Sequence, residues 1–226
     1  MKQNTDRISI QVGLSGYSFK IYADNDIRSS EWMSSDRIFT TSEFQKRYDE
    51  VEIAVFTPKV SLVPEQFYSF ETASRLLANV VSLNHDDRVE SIPVPEYGAV
   101  LLYSNSIGET LTRVVSETVV RTDGSKASPL PVMYYMLKSL ATLHDYNKIA
   151  AAYMDGVLYL VIAQGSTLLL CNSYKAPDFT TAQYFIFLAM KKLQLNPEMS
   201  TITFVTQLDY DQEMSLYRYF RSVEHI

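Results

Sequence analysis

The chain carries two strand–turn–strand units, one near its start and one past its middle, each opening a stretch that then turns helical. Arg7–Asn25 reads RISIQVGLSGYSFKIYADN: Ile8, Ile10 and Val12 alternate with polar residues, and Tyr17, Phe19 and Ile21 do the same beyond Gly13-Leu14-Ser15-Gly16. That period of two is the mark of half-buried strands. Lys148–Ser173 reads KIAAAYMDGVLYLVIAQGSTLLLCNS, with turns at Asp155-Gly156 and Gly165 between three apolar runs. Two such units predict a duplicated mixed α/β architecture, with lobes over residues 1–122 and 129–226 divided near the polar loop Asp123-Gly124-Ser125-Lys126.

Other elements follow from local patterns. Val51–Thr57 and Gly98–Tyr103 read as buried strands, Thr118–Arg121 as a short strand and Thr201–Gln207 as a β-branched one. Pro64-Glu65 opens a short helical segment. Ser69 is placed to cap a helix through Phe70, Ala73, Leu77 and Val80. Ser106-Ile107-Gly108-Glu109 fits a capping box, with Ile107, Leu111 and Val114 turned inward. Val132, Met136, Leu140 and Leu143 share one helix face. Asp178 or Thr180 starts a helix through Leu195, and Tyr184–Met190 is apolar on nearly all sides, which predicts a covered, central helix. A last helix is expected over Asp211–Val223.

Composition narrows the function classes. With 226 residues the chain is long enough for a sizeable core. A net charge of −6 supplies no electrostatic footprint for nucleic acid. The longest apolar run, Val157–Ala163, is too short to span a bilayer, so no membrane association is expected. The opening MKQNTDRISIQVG lacks an apolar leader, and the single cysteine, Cys171, suits a reducing compartment; a cytoplasmic location is expected. Cys171 lies in a strand pattern and reads as a small core residue.

RISIQVGLSGYSFKIY, TPKVSLVPEQFY (Thr57–Tyr68) and LLLCNSYKAPDFTTAQYFIFLAMKKLQLNPE (Leu168–Glu198), with the repeated layout, resemble the superfamily of actin, the heat-shock chaperone ATPases and the sugar kinases. More narrowly, the chain resembles a bacterial family to which an actin-like ATPase fold is ascribed. The resemblance implies two ribonuclease H-like halves, whose hairpin turns bind phosphate in active members: a carboxylate at the first strand end holds a metal-bound water, glycine lets the backbone approach, and Ser or Thr amides meet phosphate oxygens.

Against that pattern, Gly13-Leu14-Ser15-Gly16 keeps glycines and a hydroxyl but no carboxylate. Asp155-Gly156-Val157 keeps an acid and a glycine without the following hydroxyl. The place of the adenosine-side Gly-Gly turn reads Gln207-Leu208-Asp209-Tyr210-Asp211, with no glycine. Gly13, Ser15, Gly16, Asp155, Gly156 and Asp209 are therefore the candidate cofactor-binding residues, read as vestigial phosphate loops. Asp155-Gly156 also has the composition of an ordinary type I′ hairpin turn.

No catalytic residue and no metal ligand is assigned. Ser9, Gln11 and Gly13 supply no carboxylate cluster for a two-metal nuclease. His85, His144, His225 and Cys171 are scattered, and no Gly-x-Ser-x-Gly elbow is present. The chain has 16 tyrosines, including Tyr134, Tyr135, Tyr153, Tyr159, Tyr217 and Tyr219 on expected elements, and tyrosine suits contact surfaces. The reading is a non-catalytic binding or scaffold protein with no bound cofactor, engaging a protein partner or its own copy. The alternative is an ATP-binding phosphotransferase or ATPase with atypical ligands.

Overall fold

A computed structural model describes residues 6–23, 26–106 and 109–226. In chain order the first strands are β1 (Arg7–Val12), β2 (Gly16–Ala23), β3 (Asp26–Ser29), β4 (Met33–Ser34) and β5 (Glu50–Val55). Next come β6 (Val60–Pro64), helix α1 (Ala73–Ala78), β7 (Glu90–Val94), β8 (Ala99–Tyr103), α2 (Glu109–Thr118), β9 (Leu130–Pro131) and α3 (Val132–Thr142). The remainder is β10 (Asn147–Met154), β11 (Val157–Gln164), β12 (Thr167–Lys175), α4 (Phe179–Lys192), β13 (Thr201–Phe204), α5 (Tyr210–Tyr217) and β14 (Ser222–His225).

The chain packs as two units. One comprises the described residues of Met1–Thr57, Asp86–Arg88 and Asn105–Val132; the other comprises Pro58–His85, Val89–Ser104 and Met133–Ile226. Most of the segment from Pro58 to Ser104, which lies within the expected first lobe (1–122), thus sorts with the second unit. One tie there is the Ser173 hydroxyl on β12, which donates to the Pro58 carbonyl at 3.2 Å.

In the first unit the sheet runs β3-β2-β1-β5-β9, with β4 also on β2. β1 is antiparallel to β2 and parallel to β5, placing Ile10 between Phe19 and Ile53. Alternation sends Ile8, Ile10 and Val12 into the core at 0% exposure while Ser9 and Gln11 face away. Each such burial contributes about 2 kcal/mol. Val115 and Val119 complete this core, with Leu111 and Val114 at its margin, so the buried stripe of α2 is offset from the one read in the sequence.

The second unit's five-stranded sheet runs β12-β11-β10-β13-β14. Here too the first strand is antiparallel to the second and parallel to the fourth: β10 pairs β11 in one sense and β13 in the other. With the two-residue β4 set aside, the two sheets share one strand order, third–second–first–fourth–fifth, with the two sequence repeats in equivalent places. Leu158–Ala163 of β11 is fully buried, as a central strand with both faces covered requires. A third sheet, β6-β8-β7, is antiparallel and packs Val63, Val100 and Leu102 against Ala73 and Leu77 of α1.

Several local readings change. The last helix stops at Tyr217; Phe220 then turns into the core against Phe187, and Ser222–His225 pairs in parallel with Thr201–Phe204. Backbone partners on β13 thus claim residues whose side chains alone looked helical. Thr118 closes α2, and Arg121 and Val120 make only isolated bridges to Tyr48 and Lys126. Phe70 and Val80 are exposed, leaving Ala73 and Leu77 as the buried face of α1. Ser69 offers no side-chain cap to the backbone; its hydroxyl meets that of Thr72 at 2.9 Å.

Asp178, not Thr180, caps α4 by accepting from the Thr181 amide at 2.7 Å, and Tyr184 of that helix is 60% exposed, so α4 is covered on one side. The capping box read over residues 106–109 includes positions outside the described residues.

Candidate functional site

Each candidate turn leaves the C-terminal end of a sheet strand, where open α/β sheets bind ligands. Asp155-Gly156 follows β10 and Asp209 follows β13. These strands are parallel neighbours (Ala151 beside Phe204), and the Tyr153 amide donates to Thr206 Oγ1 at 3.1 Å, so both acids leave the same end of the sheet. Gly13, Ser15 and Gly16 follow β1 in the other unit, beside β5, where the Phe56 amide donates to the Val12 carbonyl at 2.9 Å.

The first turn is closed by its own chain. The Gly13 amide donates to the Gly16 carbonyl at 3.0 Å. Neither glycine takes a positive φ, so Gly16 is required for space rather than for backbone freedom. A Cβ there would stand 2.0 Å from the Met33 carbonyl oxygen, 3.0 Å from its carbon and 3.1 Å from Trp32 Nε1. The close approach that glycine permits is taken by β4. The turn's hydroxyl is also engaged: Trp32 Nε1 donates to Ser15 Oγ at 3.2 Å, and the indole packs 6.5 Å from the Phe56 ring. Trp32 and Met33 were not among the residues singled out from the sequence, because nothing in their spacing marks them.

The second turn has the geometry of a type I′ hairpin, with φ of 51° at Asp155 and 72° at Gly156. The Gly156 carbonyl accepts from the Ala176 amide at 2.8 Å. Beneath it Tyr159 is buried, and burial, with the Asp155 charge second, pushes its phenol far up.

The third element is a helix cap. Asp209 Oδ1 accepts from the Gln212 amide at 2.8 Å while Gln212 Oε1 accepts from the Asp209 amide at 3.1 Å, a reciprocal box that opens α5. Asp209→Ala is expected to cost about 1 kcal/mol and Asp209→Asn only a few tenths, read by urea unfolding. Equal losses in both variants would mean that the carboxylate is needed for something other than the cap.

Among the described residues no group of three or more His, Cys, Asp or Glu side chains is placed to hold a metal ion. His225 Nε2 lies 3.5 Å from Glu213 Oε1. No described helix is long and apolar enough to cross a membrane. Cys171 is half-buried as a residue, but its sulfur is enclosed, and burial pushes the thiol up to about 12. Native protein is expected to leave a disulfide-exchange reagent such as Ellman's unreacted at pH 8 and to release one equivalent on unfolding; rapid native labelling would contradict this burial.

Comparison with known proteins follows the fold. A Bacteroides thetaiotaomicron protein described as having an actin-like ATPase fold and unknown function is similar over 100% of this chain and 92% of its own, with TM-score 0.67 and 17% identity. A structure of the PilM-PilN type IV pilus biogenesis complex is similar over 99% of this chain and 88% of its own, with TM-score 0.53 and 12% identity. At such identities the likeness shows the fold, and the chain has the actin-like ATPase fold. No curated protein matches it significantly. A family model described as "Protein of unknown function (DUF3822)" matches residues 2–223, and the chain belongs to that family.

Proposed function

We propose that this protein is a non-catalytic member of the actin-like fold, a binding or scaffold module whose phosphate turns serve as structure. The observation that carries this reading is the Met33 carbonyl seated on Gly16. A backbone oxygen stands where an incoming phosphate would need the open approach of glycine, and an acceptor repels an anion there. The turn also lacks the carboxylate that orients a metal-bound water, and Asp209 is engaged as a helix cap. Exposed tyrosines in the second unit, at 146, 184, 210, 217 and 219, supply contact area of the kind that protein partners use. One similar structure, PilM-PilN, is that of a protein complex, which favours a protein partner in the same coarse sense.

The second reading, an ATP-binding phosphotransferase or ATPase using Gly13, Ser15, Asp155, Gly156 and Asp209, draws on one observation: Asp155 and Asp209 leave the same end of one sheet. Thermal unfolding with and without Mg-ATP separates the two. A ligand at 100 times its dissociation constant stabilises by about 2.7 kcal/mol, a shift of several degrees. The proposed reading expects no shift; a shift of that size favours the enzyme.

A further inference from the structure

The three-stranded sheet carries a short duplication of its own. β6 runs into Val63-Pro64-Glu65 and β7 into Val94-Pro95-Glu96, and a single 3-10 turn follows each strand, Glu65–Phe67 and Pro95–Tyr97. Both strands are antiparallel to β8, so they are parallel to each other, and Pro64 and Val94 both face Ala99. The two turns therefore flank the start of β8 at one end of the sheet, about 10 Å apart by twice the strand spacing. The Glu65 amide donates to the Gly98 carbonyl at 3.0 Å and ties the corner together.

This corner is open to solvent: Pro64–Phe67, Pro95, Glu96 and Gly98 are exposed. Pro64, Glu65, Gln66 and Gly98 line an open surface depression of about 550 Å³. Gly98, at φ 56°, has no atom within 4 Å of the position a Cβ would take. Phe67, which ends the first turn, is 67% exposed, and Phe70, three residues further along the chain, is 81% exposed. Glu65 and Glu96 are exposed and make no ion pair among the described residues. Glu71 follows Phe70, and the nearest cation along the chain is Arg75, one turn further on.

Exposed aromatic faces beside unpaired carboxylates suit one chemistry above others. A guanidinium or ammonium gains both a carboxylate and an aromatic ring face, while an apolar neighbour on the same segment packs on the exposed phenylalanines. An acidic or purely apolar segment would leave Glu65 and Glu96 desolvated without a partner. We propose that the corner formed by Pro64–Phe70 and Pro95–Gly98 docks a segment of a partner protein in which Arg or Lys adjoins an aromatic or aliphatic anchor. The proposal rests on the binding-module reading and names the surface and partner class for it.

The test pans a phage-displayed random dodecapeptide library against the full chain, then measures synthetic versions of the enriched peptides by fluorescence anisotropy. Basic–aromatic consensus peptides are expected, with affinity falling as salt rises. Phe67→Ala/Phe70→Ala and Glu65→Gln/Glu96→Gln, all surface changes that leave the fold intact by circular dichroism, are each expected to weaken binding roughly tenfold or more. No enrichment, acidic consensus peptides, or peptides that bind both double variants as well as the parent would overturn the proposal. So would a concentration-dependent dimer by sedimentation that is lost in Phe67→Ala/Phe70→Ala, since the occupant would then be a second copy. ATP binding by the same protein would defeat the non-catalytic reading and leave these peptide results standing.

Discussion

Gly16→Ala is expected to cost about 3 kcal/mol or more, although it adds a single methyl group to a surface turn. The added carbon would sit 2.0 Å from the Met33 carbonyl oxygen, a backbone atom that moves only if β4 lifts away. Lifting β4 breaks its pairing of Gly16 with Ser34 and Tyr17 with Met33, and pulls the Trp32 indole from Ser15. Overpacking of a side chain usually costs 1–3 kcal/mol, and a backbone contact lies at or beyond the upper end. Gly124→Ala is the control: its φ of 81° brings strain, but nothing lies within 4 Å, so about 1 kcal/mol is expected. Urea unfolding of both variants checks the ranking. A loss under 1 kcal/mol at Gly16 would mean that the turn is open, as a phosphate site would need.

The core of the second unit supplies the other large effect. Phe204 on β13 is fully buried among Ile149, Ile202 and Phe220, with the Phe179 ring 6.2 Å away. Phe204→Ala removes most of a large side chain and leaves a cavity that its rigid neighbours fill poorly, for about 4 kcal/mol. In a chain of this length that lowers the melting temperature by about 8–16 °C. Phe204→Leu is expected to recover most of it, and Phe70→Ala, at an exposed position, to change stability by under about 0.5 kcal/mol. Calorimetric scans of the three read the order directly.

How much of this was legible in the residues depends on the kind of interaction. β1 and β2 were readable because one face of each is buried and writes a period of two into the sequence, and β10 and β11 because burial on both faces writes continuous apolar runs between turn residues. Their repetition pointed to the shared strand order and, through the resemblance, to the actin-like fold. β3 is exposed on every residue and β4 is two residues long, so neither has a face to pattern. β7 contains Pro93, which argues against a strand unless it lies at a sheet edge, and that is where β7 lies. β14 was hidden because its register is set by backbone pairing with β13 rather than by its own side chains.

The candidate site was legible in what it lacks and illegible in what closes it. The missing carboxylate beside Gly13 and the glycine-free stretch over Gln207–Asp211 are plain in the sequence. The group that seats itself on Gly16 is a main-chain carbonyl, which every residue carries, so no residue type at position 33 could announce it. Asp209 was ambiguous for a related reason: the same carboxylate serves a helix cap or a ligand, and only the 2.8 Å contact with the Gln212 amide assigns it.

The fold is kept here, and its hairpin turns are proposed to serve as structure rather than as phosphate sites. Isothermal titration of the full chain with Mg-ATP tests this proposal, alongside Asp155→Ala as the variant of the acid in the β10–β11 turn. No saturable heat is expected from either protein. Micromolar binding by the parent, lost in Asp155→Ala, would contradict the proposal.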